Sequence, residues 1–245
     1  VVSGQVKVTC CFLFSDMRIL FIGDIYGQTG REVAKKLIPR LRQEYAPDWV
    51  IANGENTTGG TGLSKKHGEK LFESGVDILT GGNHLFGRTD WPDLVSDNPR
   101  ILRPHNIGGD NHPGKGWLQL ESDGKPSIGV INLAGRVFMD PAECPFRWAM
   151  TLISRMSPGL PIIVDFHAEA TSEKIALAWY LDGKVALVAG THTHVQTSDE
   201  RILPGGTAAI TDVGMTGPRD GVLGVDKSIV LERFLKGYSD RFAGA

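Results

Sequence analysis

Short runs rich in β-branched and apolar residues alternate along most of this chain with stretches whose apolar residues recur every three to four positions. That alternation demands a layered α/β fold in which strands are covered by helices. The strand-type runs are 18–23, 48–53, 76–80, 161–165, 185–189 and 207–211, the last expected to be the final strand. Helical spacing covers 29–45, 64–74, 143–156, 172–180 and 227–235. In the first helix Val33, Leu37 and Leu41 are expected to share a face, with a kink at Pro39 and a stop at Pro47. Ser64 stands where a cap opens the second. Runs 117–121 and 128–133 flank Asp123-Gly124, which predicts a hairpin and a locally antiparallel middle.

A chain of 245 residues suffices for one large core without disulfide help. No repeat or linker divides it, so residues 17–245 are expected to form a single domain. The 26 basic and 28 acidic residues leave a formal charge of −2, which provides neither a basic track for nucleic acid nor a membrane surface. Three cysteines, Cys10, Cys11 and Cys144, without metal-type spacing, fit a reducing cytoplasmic setting. The apolar run from Val8 to Phe14 follows Lys7 but is too short to span a bilayer and lacks a small-residue cleavage site. Residues 1–16 therefore read as an upstream extension, with Met17 the functional start.

Chemistry concentrates directly after the strands, where α/β folds place their ligands. Asp24, Glu55-Asn56, Asn83-His84, His167, and His192 with His194 all occupy such positions, and glycines crowd around them. Taken singly each is ordinary turn or cap chemistry. His-x-His is stronger, because residues two apart on an extended backbone point the same way. Together they supply carboxylate and amide oxygens from the first half of the chain and imidazoles from the second. That is a donor set for two cations roughly 3.5–4 Å apart that polarise a phosphoryl oxygen. Mixed nitrogen and oxygen donors suit iron, manganese or zinc.

At these residues the sequence resembles the YmdB-like branch of the metallophosphoesterases, almost continuously from Met17 to about Lys236. The blocks are Gly23-Asp24-Ile25, Asn53-Gly54-Glu55-Asn56, Gly82-Asn83-His84, the ten residues 165–174, Gly190-Thr191-His192-Thr193-His194, and Thr211-Asp212-Val213-Gly214-Met215. The resemblance implies a calcineurin-like α/β sandwich, two central β-sheets flanked by helices, and hydrolysis of phosphodiesters such as 2′,3′-cyclic nucleotides at a dinuclear centre. It implies that Asp24, Glu55, Asn56 and His194 hold one metal and that Glu55, Asn83, His167 and His192 hold the other, with Glu55 bridging. His84 would be the general acid that protonates the leaving ribose oxygen, a task an imidazole performs near neutral pH. A metal-bridging hydroxide would be the nucleophile.

Asp24-Ile25-Tyr26 stands where the wider superfamily has Asp-x-His, and Glu55 where it has a second Asp; both fit the branch rather than the superfamily, so Tyr26 is not expected to be a ligand. Leu85-Phe86-Gly87 replaces the usual aromatic and Asp after the His84 position, and the chain stops at Ala245, short of strands that usually close the second sheet. A regulatory, RNA-associated adaptor with vestigial hydrolysis and a phosphomonoesterase are the alternative functions, and a homo-oligomer is left open. His67, His105 and His112 read as surface or loop histidines. Asp165, Glu169 and Glu173 read first as favourable acidic charge at a helix start, with orientation of His167 the lesser reading for any one of them. The run Gly59-Gly60-Thr61-Gly62 lacks the Lys-Ser/Thr of a P-loop and reads as a flexible loop beside the site.

Overall fold

A computed structural model describes residues 17–122, 124–238 and 244–245, so the readings made for residues 1–16 and for Asp123 lie outside the described residues. In chain order the elements are β1 (Ile19–Ile22), β2 (Asp24–Ile25), α1 (Gly27–Tyr45), β3 (Trp49–Asn53), α2 (Lys65–Glu73), β4 (Ile78–Thr80), a 3-10 turn (Asn83–Gly87), α3 (Trp91–Asp97) and β5 (Ile101–Leu102). Then follow β6 (Trp117–Ser122), β7 (Lys125–Ala134), α4 (Pro145–Ile153), β8 (Ile162–His167), α5 (Thr171–Tyr180), β9 (Leu187–Thr191), β10 (Arg201–Ile202), β11 (Ala208–Ile210), β12 (Met215–Thr216) and α6 (Lys227–Lys236).

Two sheets form. The first, in the order β1-β3-β4-β5, is wholly parallel; the second, β10-β11-β9-β8-β7-β6, is parallel in its middle and antiparallel at both edges. Side-chain alternation along the strands builds the layers. Ile19 and Phe21 point inward to meet Val130, Ile163, Leu187 and Ile210 of the other sheet. Leu20 points outward with Val50 and Leu79 to pack against Ala34 and Ile38 of α1 and Leu71 of α2. On the far side Val164 and Phe166 pack against Leu152 of α4 and Leu177 of α5. The result is two sheets face to face with helices outside both.

Several expectations change. α1 buries Gly27, Gly30, Ala34 and Ile38 rather than the stripe through Val33 and Leu37, and the helix continues through Pro39. Ser64 caps α2 as expected, its Oγ accepting from the His67 N–H. Run 207–211 is not the last strand: Met215–Thr216 follows and pairs in parallel with Asp24–Ile25, tying the segment after β11 to the segment after β1. β5 and β10 are two residues each, too short for a periodic signal, and α3 is a seven-residue helix.

His105 is not a surface residue. It is 1% exposed, packs edge-on against Trp148 with ring centroids 4.6 Å apart, and accepts the Gly116 N–H at Nδ1. Beside it Arg103, also buried, spreads five N–H donors over the carbonyls of Pro104, His105, Ile107, Gly109, His112, Pro113 and Gly114. One side chain thus organises the whole 103–116 segment beside β7. A lysine cannot reach these acceptors in a fork. Arg103→Lys is expected to cost about 3 kcal/mol, seen as a melting temperature lower by about 6–12 °C.

Burial, helped by the Arg103 charge, pushes His105 down to about 4. Because the folded chain binds this proton less readily than the unfolded one, the stabilisation is complete above about pH 6.5 and is lost as pH falls through about 4. Allowing for partial screening by water, wild type should lose about 2 kcal/mol more than His105→Gln between pH 7 and 4. Urea titrations of both proteins at the two pH values measure the difference.

Candidate metal centre

Both sheets present the carboxyl ends of their parallel strands on the same side of the molecule, and every residue expected at the site lies there. Asp24 opens β2, Glu55 and Asn56 follow β3, and Asn83 and His84 open the turn after β4. His167 closes β8, while His192 and His194 follow β9. His67 and His112 lie outside the cluster; His67 Nδ1 is 2.8 Å from Thr58 Oγ1, and the exposed His112 leans on Trp91.

His167 is the hub. Fully buried, its Nε2 lies 3.2 Å from Glu55 Oε1, 3.1 Å from Asn83 Oδ1 and 3.0 Å from His192 Nδ1. One ring N–H can satisfy only one of these lone-pair atoms well, whereas a cation at their convergence serves them all. Glu55, His167 and His192 each place a ligand-type atom within 4.8 Å of the others, a spacing suited to one metal ion. Asp24 Oδ1 is buried without a hydrogen-bond donor among the described residues, and His194 Nε2 lies 3.7 Å from it. An orphaned buried carboxylate oxygen is costly unless a cation meets it. The residues therefore fit metal.

Asn56 meets the expectation in position but not in orientation. Its amide NH2 lies 3.1 Å from Glu55 Oε1 and 3.1 Å from His194 Nε2, while its oxygen lies 2.7 Å from His84 Nδ1. A cation between Asp24 and His194 requires the two ends of that amide to be exchanged. The 2.7 Å contact also locates the support of His84, which comes from the β3 loop rather than from the residues after it. The His84 backbone N–H donates to Glu55 Oε2 at 2.9 Å, and buried Leu85 anchors the turn beneath.

Charge follows the same arrangement. Burial raises the proton affinity of Glu55, but neighbouring His167 overcomes it and holds the carboxyl well below its ordinary range. Asp24 is lowered in the same way, its burial outweighed by His194 and His167. Burial also opposes charge on His167, yet Glu55, backed by Asp24 and Asp165, raises it to about 9. His192 is pushed down to about 4 by burial and then by the charge on His167, which leaves it neutral and able to donate a lone pair.

Other groups support the candidate ligands, and for Asp165 the structure favours the lesser of the two readings. Asp165 lies inside β8, not at a helix start. Its Oδ1 accepts from Thr191 Oγ1 at 2.7 Å, and Thr191 Oγ1 in turn lies 2.9 Å from His167 Nδ1, which turns Nε2 toward the site. Strand alternation carries that signal, since residues 165 and 167 share a face. Glu169 Oε2 lies 3.1 Å from His192 Nε2, so this carboxylate also supports a candidate ligand. Glu173 does sit in the first turn of α5, but its carboxylate accepts the Arg136 and Val137 N–H groups.

His192 and His194 are not on extended backbone: their φ values are 98° and 64°, and the two rings diverge, one to His167 and one to Asp24 and Asn56. Asp212 holds the loop by accepting Thr193 N–H and Oγ1–H, and buried Lys174 pairs with that carboxylate at 2.7 Å. Tyr26 sets its ring edge-on to His194, at 5.8 Å between centroids, and contributes no ligand atom.

The model of YmdB-like proteins matches residues 20–245. The chain belongs to the YmdB-like family. It is 49% identical over 230 residues to a 2′,3′-cyclic-nucleotide 2′-phosphodiesterase of Bacillus subtilis, an alignment covering 94% of this chain and 86% of the relative. Among solved structures, a hypothetical protein from Thermus thermophilus superposes with a TM-score of 0.87 at 42% identity, over 94% of this chain and 88% of the other. A novel phosphatase from Mycoplasma pneumoniae gives 0.87 at 38% identity, over 94% and 83%. No helix among the described residues of this YmdB-like chain is long and apolar enough to cross a membrane.

Gly82 tests the site without touching a donor atom. A Cβ there would lie 2.2 Å from Glu55 Oε2 and 2.3 Å from His167 Nε2. Gly82→Ala is expected to lower metal affinity at least tenfold, as displaced supporting groups do. Elemental analysis of the variant after equilibration with limiting manganese should show that loss.

Proposed function

We propose that this protein is a metal-dependent phosphodiesterase that hydrolyses small phosphodiesters, 2′,3′-cyclic nucleotides foremost, at a centre for two divalent cations. The observation that carries the reading is the meeting of Glu55, Asn83, His167 and His192 at one point, beside the orphaned Asp24 oxygen. The 49% identity to a cyclic-nucleotide phosphodiesterase supplies the substrate class. In this reading Asp24, Glu55, Asn56 and His194 would hold one ion and Glu55, Asn83, His167 and His192 the other, with Glu55 common to both sets. The donor set suits iron, manganese or zinc. The paired sheets belong to the calcineurin-like metallophosphoesterase class, with residues 17–245 acting as one unit.

When bound, the cations supply Lewis acidity to the phosphoryl group and acidify water. The chain supplies position and protons. His167 is fixed through Thr191 and Asp165, so its Nε2 does not wander from the ligand position. Buried Glu55 and Asp24 hold negative charge that favours cations over protons. His84 is 40% exposed and tethered at Nδ1 by Asn56, which leaves Nε2 facing outward. From there it can deliver a proton to the ribose oxygen as the phosphorus–oxygen bond breaks, and no covalent enzyme intermediate is required. With a formal charge of −2 the chain offers no extended basic track, which suits a small nucleotide better than a long nucleic acid.

Three proteins test this. Wild type should contain close to two metal ions by elemental analysis and turn over 2′,3′-cyclic AMP. Glu55→Ala should lose metal and activity together, whereas His84→Ala should keep its metal and lose about 10²–10⁴-fold in kcat. Metal in all three without ester cleavage would sink the enzymatic reading.

A further inference from the structure

The segment after β7 carries a feature that fold stability does not explain. Phe138 is 89% exposed and has φ of 61°, a conformation that suits glycine or asparagine and strains a bulky side chain. It is the third residue of a turn closed by the Met139 N–H on the Arg136 carbonyl at 3.4 Å. The turn is well anchored. Glu173, itself 7% exposed, accepts the N–H groups of Arg136 and Val137 at 3.0 and 3.1 Å. Gly135 donates its N–H to the His167 carbonyl at 2.9 Å, and a Cβ at Gly135 would meet Ala168 at 2.5 Å and Glu173 at 2.8 Å. The chain is therefore pinned against the hub of the metal centre, and three residues later it holds a benzyl side chain in water. Three residues span at most about 11 Å.

We propose that Phe138 is the stacking platform for the nucleobase of the substrate, and hence the residue that distinguishes nucleotides from other small phosphodiesters. The proposal rests on the phosphodiesterase reading of the adjoining site. Every nucleobase offers a π-face, so one exposed ring recognises the class without choosing among bases. The anchored turn limits the ordering needed on binding. A platform of this kind also suits a chain without a basic track, because affinity beyond the phosphate then comes from stacking.

The test compares wild type, Phe138→Leu and Phe138→Gly on 2′,3′-cyclic AMP and on methyl riboside 2,3-cyclic phosphate, which lacks a base. For Phe138→Gly the KM for cyclic AMP should rise about tenfold with kcat unchanged, and the KM for the base-free ester should not move. Phe138→Leu should fall between the two proteins. The glycine variant should melt no lower than wild type, since its backbone suits the turn. Equal changes on both substrates, no change on either, or a shift of native mass in Phe138→Gly, which would make the ring a contact between copies, overturns the proposal. If wild type cleaves neither ester, the phosphodiesterase reading itself fails. Calorimetric binding of adenosine 3′-phosphate and ribose 3-phosphate to the metal-loaded proteins then decides: loss of affinity confined to the nucleotide supports Phe138, and equal affinities reject it.

Discussion

A carboxylate buried between two sheets is tolerable only when donors surround it, and Asp165 meets that condition by joining the sheets. Its oxygens accept from Asn53 of β3 and Thr80 of β4 on one side and from Thr191 of β9 on the other. Burial raises its pKa to about 6, against the opposing influence of His167 and the threonine hydroxyls. The apolar layer between the sheets is non-directional and would tolerate some sliding. Asp165 would not, because displacement of either sheet strands a buried acceptor, at about 1–3 kcal/mol or more for a charged group. The same joint sets the site: Thr191 passes the constraint to His167 Nδ1, and His167 Nε2 then faces Glu55 and Asn83, which belong to the opposite sheet.

The second half of the site depends on a different device. After β9 the chain adopts left-handed backbone at both His192 and His194, each costing roughly 1–3 kcal/mol in a residue with a side chain. Asp212 offsets this by gripping Thr193 between them, with the buried ammonium of Lys174 balancing its charge. Removing one partner of such a pair exposes the other as an uncompensated buried charge, about 3–5 kcal/mol. Asp212 sits just before the β12 pairing with β2, so the loop, β12 and Asp24 are braced together. Leu223 adds its carbonyl, 3.3 Å from His194 Nδ1.

Strand alternation, helix spacing and the Ser64 cap were legible because they are local, and the structure repeats them with boundaries moved by a few residues. Location of the site was legible for the same reason, as strand ends are read from periodicity. Orientation was not. His-x-His suggested an extended pair, but the loop turns the rings apart under tertiary bonds that no local pattern encodes. Asn56 lies beside Glu55, His84 and His194, and the direction of its amide is decided by those three groups rather than by any local pattern. His105 was misjudged because its neighbours are Pro, Asn and Gly in sequence, while in space they are Trp148 and the Arg103 carbonyl web.

These constraints hold two buried carboxylates together whose negative charge must be met from outside their own strands. Glu55 and Asp24 are held anionic in surroundings with little water, and they in turn raise the proton affinity of His167 and His194. A proton satisfies one lone pair at a time, and the geometry supplies several at each point. Divalent cations held there would release those protons and satisfy the remaining donors together. Such ions would also make the pocket a focus of positive field on a chain that is otherwise near neutral. A compact dianion or monoanion gains from a field so localised, whereas a long polyanion gains little beyond its one reacting phosphate. Recognition away from the phosphate must then come from neutral surfaces at the rim, and those surfaces set which esters reach the metal centre.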